Sequence, residues 1–190
     1  MADSPQRSRH VHLRSPRERM KRLPGWCSTT EKPSRWARSG WGAYIVKSTD
    51  SGATWNYFST IGEGPEPSVV RFSSTEMMAI VRTLSFGPLL QTFSHDGGKT
   101  WSELVAMEEG SVAPDMALMS NGVLACSYGR PGSNLMFSTD QGKTWSHHRV
   151  ISDLKGFNYT AIREVSPGRL LYIHDAPRLS ALYVDVERRE

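Results

Sequence analysis

The strongest constraint on the fold is an octapeptide that occurs three times at nearly constant spacing. The copies are Ser48–Trp55, Ser94–Trp101 and Ser138–Trp145, and each fits the pattern Ser-x-Asp-x-Gly-x-Thr-Trp. The aspartates of successive copies lie 46 and then 44 residues apart. A period of this length is typical of chains built from repeated copies of one supersecondary unit, so the sequence predicts a repeat architecture.

The residue types in the octapeptide are those of a tight turn. Aspartate accepts hydrogen bonds from the backbone that follows it, and glycine tolerates the positive φ that such turns require. Tryptophan is a large apolar anchor, and we expect it to tuck back under its own hairpin. We therefore predict that Asp50, Asp96 and Asp140 close hairpins and take no part in catalysis.

The segments between the octapeptides have the composition of β-strands. They are short, rich in β-branched and aromatic residues, and bounded by Gly, Pro, Ser or Asn. The predicted strands are AYIVKS, NYFSTI, SVVRF, EMMAIVRT, LLQTFS, TWSELVAM, DMALMS, VLACSYG, NLMFS, SHHRVIS, YTAIREV, RLLYIHD and LSALYVDV. Four strands in each period of about 45 residues predict an all-β chain made of β-propeller blades.

Charge divides the chain into two parts. Residues 1–40 hold ten Lys and Arg against three Asp and Glu, whereas the remainder is slightly acidic. We expect a basic, disordered N-terminal arm over residues 1–40 and propeller blades over residues 41–190. The arm has no aromatic ladder on which bases could stack, so no nucleic-acid partner is expected.

Composition excludes several other classes of protein. No apolar run reaches the roughly 18 residues of a membrane span, and no apolar segment of a signal peptide follows the N-terminal charges. Two cysteines, Cys27 and Cys126, are too few for a disulfide scaffold or a four-cysteine zinc site. Cys126 lies in an apolar strand, where a buried core thiol is expected.

Superposing the repeats predicts where polar residues converge. In a blade the first strand is innermost and the second runs antiparallel to it, so the start of one and the end of the other share a face. The octapeptide turns then fall on the opposite face. The polar residues at these positions are Glu66, Asp115 and Tyr159 before the first strands, and Arg82, Arg130 and His174 at the ends of the second strands. We expect them to surround a central cleft, the usual place for a binding site.

The octapeptides resemble the Asp-boxes, or BNR repeats, of the sialidase-like propeller family, and the resemblance covers roughly residues 41–190. The segment EPSVVRFSSTEMMAIVRT is similar to the one in which Glu precedes the inner strand and a substrate-binding Arg ends the next, matching Glu66 and Arg82. The segment SYGRPGSNLMFSTDQGKTW carries the match for a second arginine, Arg130. The segment NYTAIREVSPGRLLYIHD carries the match for the nucleophilic tyrosine, Tyr159.

The resemblance implies a retaining exo-sialidase that cleaves terminal sialic acid or a related 2-keto sugar acid. Arg82 and Arg130 would bind the substrate carboxylate, because arginine does so bidentately. Tyr159 would be the nucleophile, assisted by Glu66, because a neutral phenol is not repelled by that carboxylate. Asp115 would contact sugar hydroxyls. The residues His174 and Asp175 are weaker candidates for binding, and no cofactor or metal is implied.

The family's propeller has six blades, about 270 residues, whereas this sequence supplies about three to four. No segment matches the family's first binding arginine or its acid/base aspartate, so we expect a partial site with poor turnover. Exposed blade edges would favour self-association. Family resemblance favours a secreted or periplasmic location. Two alternatives stay open: a non-catalytic propeller that binds carbohydrate or protein, and a hydrolase of neutral glycans that uses two carboxylates.

Overall fold

The computed structural model describes residues 26–29, 42–83, 87–107, 110–154 and 156–188. Every regular element in these ranges is a β-strand. The strands are β1 (Trp26–Thr29), β2 (Gly42–Lys47), β3 (Asn56–Glu63), β4 (Ser68–Arg71), β5 (Met77–Val81), β6 (Leu90–Ser94), β7 (Val105–Ala106), β8 (Val112–Leu118), β9 (Leu124–Gly129), β10 (Ser133–Ser138), β11 (Ser146–Ser152), β12 (Thr160–Ser166), β13 (Arg169–His174) and β14 (Ser180–Asp185).

Within the described ranges the strands form four antiparallel sheets, each made of consecutive strands. Blade 1 is β1-β2-β3, blade 2 is β4-β5-β6-β7, blade 3 is β8-β9-β10-β11 and blade 4 is β12-β13-β14. Blades 2 and 3 therefore have the four strands that the repeat period predicts. The all-β propeller prediction is confirmed, and all thirteen predicted strands are present.

Strand β1 was not predicted. It lies within residues 1–40, the segment expected to be an arm, and pairs antiparallel with β2 from Trp26 opposite Lys47 to Thr29 opposite Tyr44. The first sheet thus begins before residue 41. The rest of the expected arm lies outside the described residues.

The three octapeptide turns share one hydrogen-bond pattern, as the repeat predicts. In blade 3 the Ser138 hydroxyl donates to Asp140 Oδ1 at 2.7 Å and accepts from the Gly142 N–H at 2.8 Å. Thr144 donates its N–H to Asp140 Oδ1 at 2.9 Å and its hydroxyl to Oδ2 at 2.6 Å. Gln141 and Gly142 have φ of 64° and 84°, the left-handed backbone that explains glycine in the motif. Each turn joins the last two strands of its blade.

The expectation that each tryptophan tucks under its own hairpin is wrong for Trp145, whereas the Trp101 ring lies against Gly98 of its own turn and also reaches the neighbouring blade. The Trp101 indole N–H lies 3.3 Å from the Ser59 hydroxyl in blade 1, and the ring packs on the apolar cluster between blades 1 and 2. The Trp145 N–H donates to Gln91 Oε1 in blade 2 at 3.1 Å. Among the three octapeptide tryptophans described, it is Trp55 in blade 1 whose indole bonds within its own turn: it donates to the Gly52 carbonyl and stays 46% exposed.

Among the described residues, the hydrophobic core lies between the blades, in three clusters. One joins blades 1 and 2, one joins blades 2 and 3, and one joins blades 3 and 4. The sequence of β9 does not alternate between apolar and polar residues, because both faces of the strand are covered: Leu124 and Cys126 face blade 2, whereas Ala125 faces blade 4. Cys126 is fully buried as predicted, and burial, with the nearby Asp115 charge, raises the pKa of its thiol. A buried strand with a neighbour on both faces has no polar side.

The indole contacts predict unequal effects of removing the tryptophans. Trp145→Ala should lower the free energy of unfolding by about 3 kcal/mol, because a ring packed between two blades leaves a cavity. Trp55→Ala, the matched control at the half-exposed position, should cost about 1 kcal/mol. Urea unfolding followed by circular dichroism measures both. Equal losses would contradict the inter-blade role of Trp145.

The turn aspartates predict a loss of stability in acid. The Thr54 hydroxyl and N–H lower the pKa of Asp50 to about 2, and at Asp140 hydrogen bonds from Thr144 outweigh the opposing effect of burial and also bring the pKa to about 2. Because both values lie below the unfolded value of about 3.9, the contribution is complete above pH 4 and is lost as the pH falls through 2.

The variant with Asp50→Asn and Asp140→Asn should therefore be less stable than the parent at pH 6. It should also lose less stability than the parent between pH 4.5 and pH 2. Urea unfolding at a series of pH values measures the gap between the two proteins. A gap that stays constant over that range would show that the carboxylates do not titrate with folding.

Candidate functional site

An open groove of about 860 Å³ runs along the inner strands of blades 2, 3 and 4. It is lined from β4, β8, β12 and the loops before them, and Glu66, Asp115 and Tyr159 all line it. Arg82 follows the end of β5 and Arg130 follows the end of β9. These ends lie on the face opposite the octapeptide turns, as the antiparallel order of the strands requires. Glu66 and Tyr159 thus lie on the same face of the blades as Arg82 and Arg130.

Glu66 and Arg82 form an ion pair at the edge of this groove. The guanidinium Nη1 of Arg82 donates to Glu66 Oε1 at 2.6 Å, and the two side chains are 15% and 28% exposed for Arg82 and Glu66 respectively. Glu66 Oε2 accepts the N–H of Ala113, the second residue of β8, at 2.8 Å. The carboxylate therefore orients an arginine of its own blade and also ties blade 2 to the inner strand of blade 3.

Arg130 lies close to two aromatic rings. Its Cζ atom is 5.8 Å from the centre of the Tyr159 ring and 6.0 Å from that of Phe157. Its Nε donates to the Phe157 carbonyl at 2.9 Å. Both distances are within the range of cation–π attraction. The loop that precedes β12 therefore places an arginine of blade 3 beside a tyrosine of blade 4.

Tyr159 projects from that loop with 44% of its surface exposed. Its backbone N–H donates to Asp175 Oδ1 at 2.9 Å. Glu66 and Tyr159 line the same groove, but within the described ranges no hydrogen bond joins the Glu66 carboxylate to the Tyr159 hydroxyl. The predicted assistance of Tyr159 by Glu66 remains a prediction.

Asp115 occupies a different place from the one that the alignment of repeats suggested. It lies in the middle of β8, and its Oδ2 accepts the Ile162 N–H from β12 at 2.9 Å. The Arg163 guanidinium lies 3.0 Å from the same oxygen. Asp115 therefore joins the inner strands of blades 3 and 4, as Glu66 joins those of blades 2 and 3. Contact with sugar hydroxyls remains a prediction for it.

His174 is buried and is not among the residues that line the groove. Its Nδ1 lies 2.9 Å from the Ala176 carbonyl, and its ring centre is 6.0 Å from that of Tyr172. Within the described ranges, no group of three or more His, Cys, Asp or Glu side chains is placed to hold a metal ion. None of the described residues belongs to a helix long and apolar enough to cross a membrane.

Sequence reasoning missed three residues that shape the site. Phe157 and Arg163 contact site residues, and Asn158 adopts a left-handed φ of 56° beside Tyr159. Of the three, Asn158 could have been found from the sequence, because asparagine before a strand often adopts the left-handed conformation. The sequence gives no indication of the contacts of Phe157 and Arg163, since their partners Arg130 and Asp115 lie 27 and 48 residues away in sequence.

Blades with Asp-box turns and a polar groove on the opposite face define an Asp-box β-propeller. The model of the BNR repeat-like domain family matches residues 22–173, and the chain belongs to that family. A search of curated protein sequences found no match.

Solved structures confirm the sialidase-like propeller fold. A protein of unknown function from Dyadobacter fermentans is similar with a TM-score of 0.67 and 18% identity, over 77% of this chain and 46% of that one. The NanB sialidase from Streptococcus pneumoniae aligns with a TM-score of 0.59 and 22% identity, over 77% and 27%. An intramolecular trans-sialidase from Ruminococcus gnavus aligns with a TM-score of 0.58 and 16% identity, over 83% and 43%. The chain spans 46% or less of each of these structures.

The ion pair of Glu66 predicts a stability difference between two glutamates. Glu66→Ala should lower the free energy of unfolding by about 2 kcal/mol, because it leaves a mostly buried guanidinium and the Ala113 N–H without this carboxylate. Glu76→Ala is the control, since Glu76 pairs with His95 in an exposed position and should cost less than about 0.5 kcal/mol. Urea unfolding at pH 7 compares them. Similar losses would show that the inter-blade link is weak.

Proposed function

We propose that this chain carries part of an exo-sialidase-type active site that takes terminal sialic acid or a related 2-keto sugar acid. The observation that carries the proposal is the convergence of Tyr159, Arg130 and the Glu66–Arg82 pair on one face of a BNR repeat-like propeller. A guanidinium group beside a tyrosine, with a second guanidinium on the same face, suits a substrate whose anomeric carbon bears a carboxylate.

In the proposed reaction Tyr159 gives its proton to a base and forms a bond to the anomeric carbon. The bond from that carbon to the glycosidic oxygen breaks, and the oxygen takes a proton from a general acid. Water then hydrolyses the tyrosyl–sugar bond, and the configuration is retained. A phenol with a pKa near 10 needs a base to react at neutral pH. Glu66 has this role in the proposal. Its two carboxylate oxygens offer about four acceptor positions, so it can accept the Tyr159 proton while it still holds Arg82 and the Ala113 N–H.

The two arginines have distinct surroundings in the proposed site. Arg82 is held against Glu66, so its orientation is set before substrate binds. Arg130 is held by the Phe157 carbonyl and lies over the Tyr159 ring, so a carboxylate bound to it would lie next to the nucleophile. This arrangement supports binding of an acidic sugar with its anomeric carbon near Tyr159. The described residues assign no group to the role of acid/base that protonates the leaving oxygen.

A non-catalytic binding function is the second candidate, and one observation favours it. Both Glu66 oxygens accept hydrogen bonds from protein groups, and neither accepts one from Tyr159. A propeller that only binds an acidic glycan needs the arginines and has no need of a reactive tyrosine. The Arg82 and Arg130 pair argues against a hydrolase of neutral glycans, for which two guanidinium groups have no partner.

Binding of the unsaturated 2-deoxy analogue of sialic acid tests the site, with hydrolysis of a fluorogenic sialoside measured in parallel. Arg82→Ala and Arg130→Ala should each weaken analogue binding by about tenfold or more, because each removes a charge-assisted hydrogen-bond donor. Arg149→Ala, at an exposed arginine of β11, is the control and should bind like the parent.

Tyr159→Phe separates the two candidate functions. It should abolish hydrolysis and leave analogue binding within about twofold, because the phenol reacts but is not the carboxylate ligand. Binding by the parent without hydrolysis would favour the non-catalytic function. No binding by a folded parent chain would refute both forms of the acidic-glycan proposal.

A further inference from the structure

The residue proposed as nucleophile lies just outside the regular strand pairing. The ladder between β12 and β13 ends where Thr160 is opposite His174. Tyr159 precedes β12, so its N–H has no partner in that ladder. Asp175, the residue after β13, provides the partner: its Oδ1 accepts the Tyr159 N–H at 2.9 Å. A side chain thus extends the ladder by one residue, at the position of Tyr159.

The residue before Tyr159 is held just as closely. Asn158 is 2% exposed, has a left-handed φ of 56°, and donates its side-chain N–H to the Gly156 carbonyl at 3.1 Å. Its own carbonyl lies against Gly129, where a Cβ atom would come within 1.9 Å of the Asn158 oxygen. Glycine is therefore required at position 129. The left-handed conformation and this close approach fix the chain direction into Tyr159.

The residue after Tyr159 is also fixed. The Thr160 hydroxyl lies 3.0 Å from the Ser127 hydroxyl and 3.3 Å from the Ala113 carbonyl, both in blade 3. The Tyr159 side chain itself is 44% exposed and so is held only in part by packing. The direction in which its ring leaves the chain therefore depends on the backbone on either side. Asp175 is the side chain that holds the backbone of Tyr159 itself.

We propose that Asp175 is a positioning residue for Tyr159, an inference that rests on the proposed role of Tyr159 as nucleophile. By accepting the Tyr159 N–H, Asp175 fixes the Cα–Cβ direction and so the approach of the phenol oxygen to the substrate. Displacement of a reacting group by about 1 Å can cost a hundredfold in rate. The carboxylate acts through the backbone and is not itself in contact with the reacting atoms.

Two substitutions of Asp175 in the full 190-residue chain test this. Asp175→Ala removes the acceptor, whereas Asp175→Asn keeps a side-chain oxygen that can accept the N–H. Asp153→Ala, at an exposed aspartate shortly before the same loop, is the control. The readouts are amide hydrogen exchange of Tyr159 by NMR, analogue binding, and kcat and KM for the fluorogenic sialoside.

Asp175→Ala should speed exchange of the Tyr159 amide by about tenfold and lower kcat by about tenfold or more, with KM and analogue binding changed less than about threefold. Asp175→Asn should restore both exchange and kcat to within about threefold of the parent. The control should match the parent. If Asp175 had only a structural role, its removal would change KM and analogue binding together with kcat, and Asp175→Asn would not restore kcat.

The outcomes also separate this inference from the proposed function. Equal exchange in the parent and in Asp175→Ala overturns the inference, as does faster exchange with unchanged kcat. Failure of Asp175→Asn to restore kcat overturns it as well. A parent that binds the analogue but hydrolyses nothing overturns the catalytic role of Tyr159 and hence the positioning of a nucleophile, whereas exchange still shows whether Asp175 holds the loop.

Discussion

Apolar packing between neighbouring blades is the interaction on which the rest of this structure depends. A single antiparallel sheet of three or four short strands cannot bury both of its faces, and here each cluster of the core is shared by two blades. Buried Leu124 and Leu135 lie on opposite faces of blade 3, so this blade is sandwiched between its neighbours. Removing a buried side chain of this size from water contributes about 1.5–3 kcal/mol.

Polar contacts along the inner strands then set the register between blades. Inner strands in adjacent blades do not pair with each other, so their N–H groups need other partners. Glu66 accepts the Ala113 N–H and Asp115 accepts the Ile162 N–H, each 47 residues further along the chain. Ser68 accepts the Met116 N–H in the same way. Side chains of one blade thus complete the backbone hydrogen bonding of the next.

The proposed site is built at these same junctions. Glu66 has a structural contact with blade 3 and a proposed chemical role toward Tyr159, which makes stability and reactivity interdependent there. Arg130 from blade 3 is oriented by the loop of blade 4 that carries Tyr159. The relative placement of the proposed nucleophile and the proposed carboxylate-binding groups therefore depends on how the blades pack, and less on any single sheet.

The sequence by itself determined thirteen of the fourteen described strands, the octapeptide turns and the face on which the polar residues gather. These features depend on local residue types and on the repeat period, which can be read from the sequence directly. The tertiary structure decided which blade each tryptophan packs on, that Asp115 bridges two inner strands, and that β1 joins the first sheet. It also decided that Asp175 holds Tyr159. The tryptophan and Asp115 contacts join residues 42 to 54 positions apart. The Asp175 contact lies at the end of a strand, where the local sequence pattern gives no signal. Their partners are chosen by how the blades pack, because side chains of many types satisfy the same local pattern.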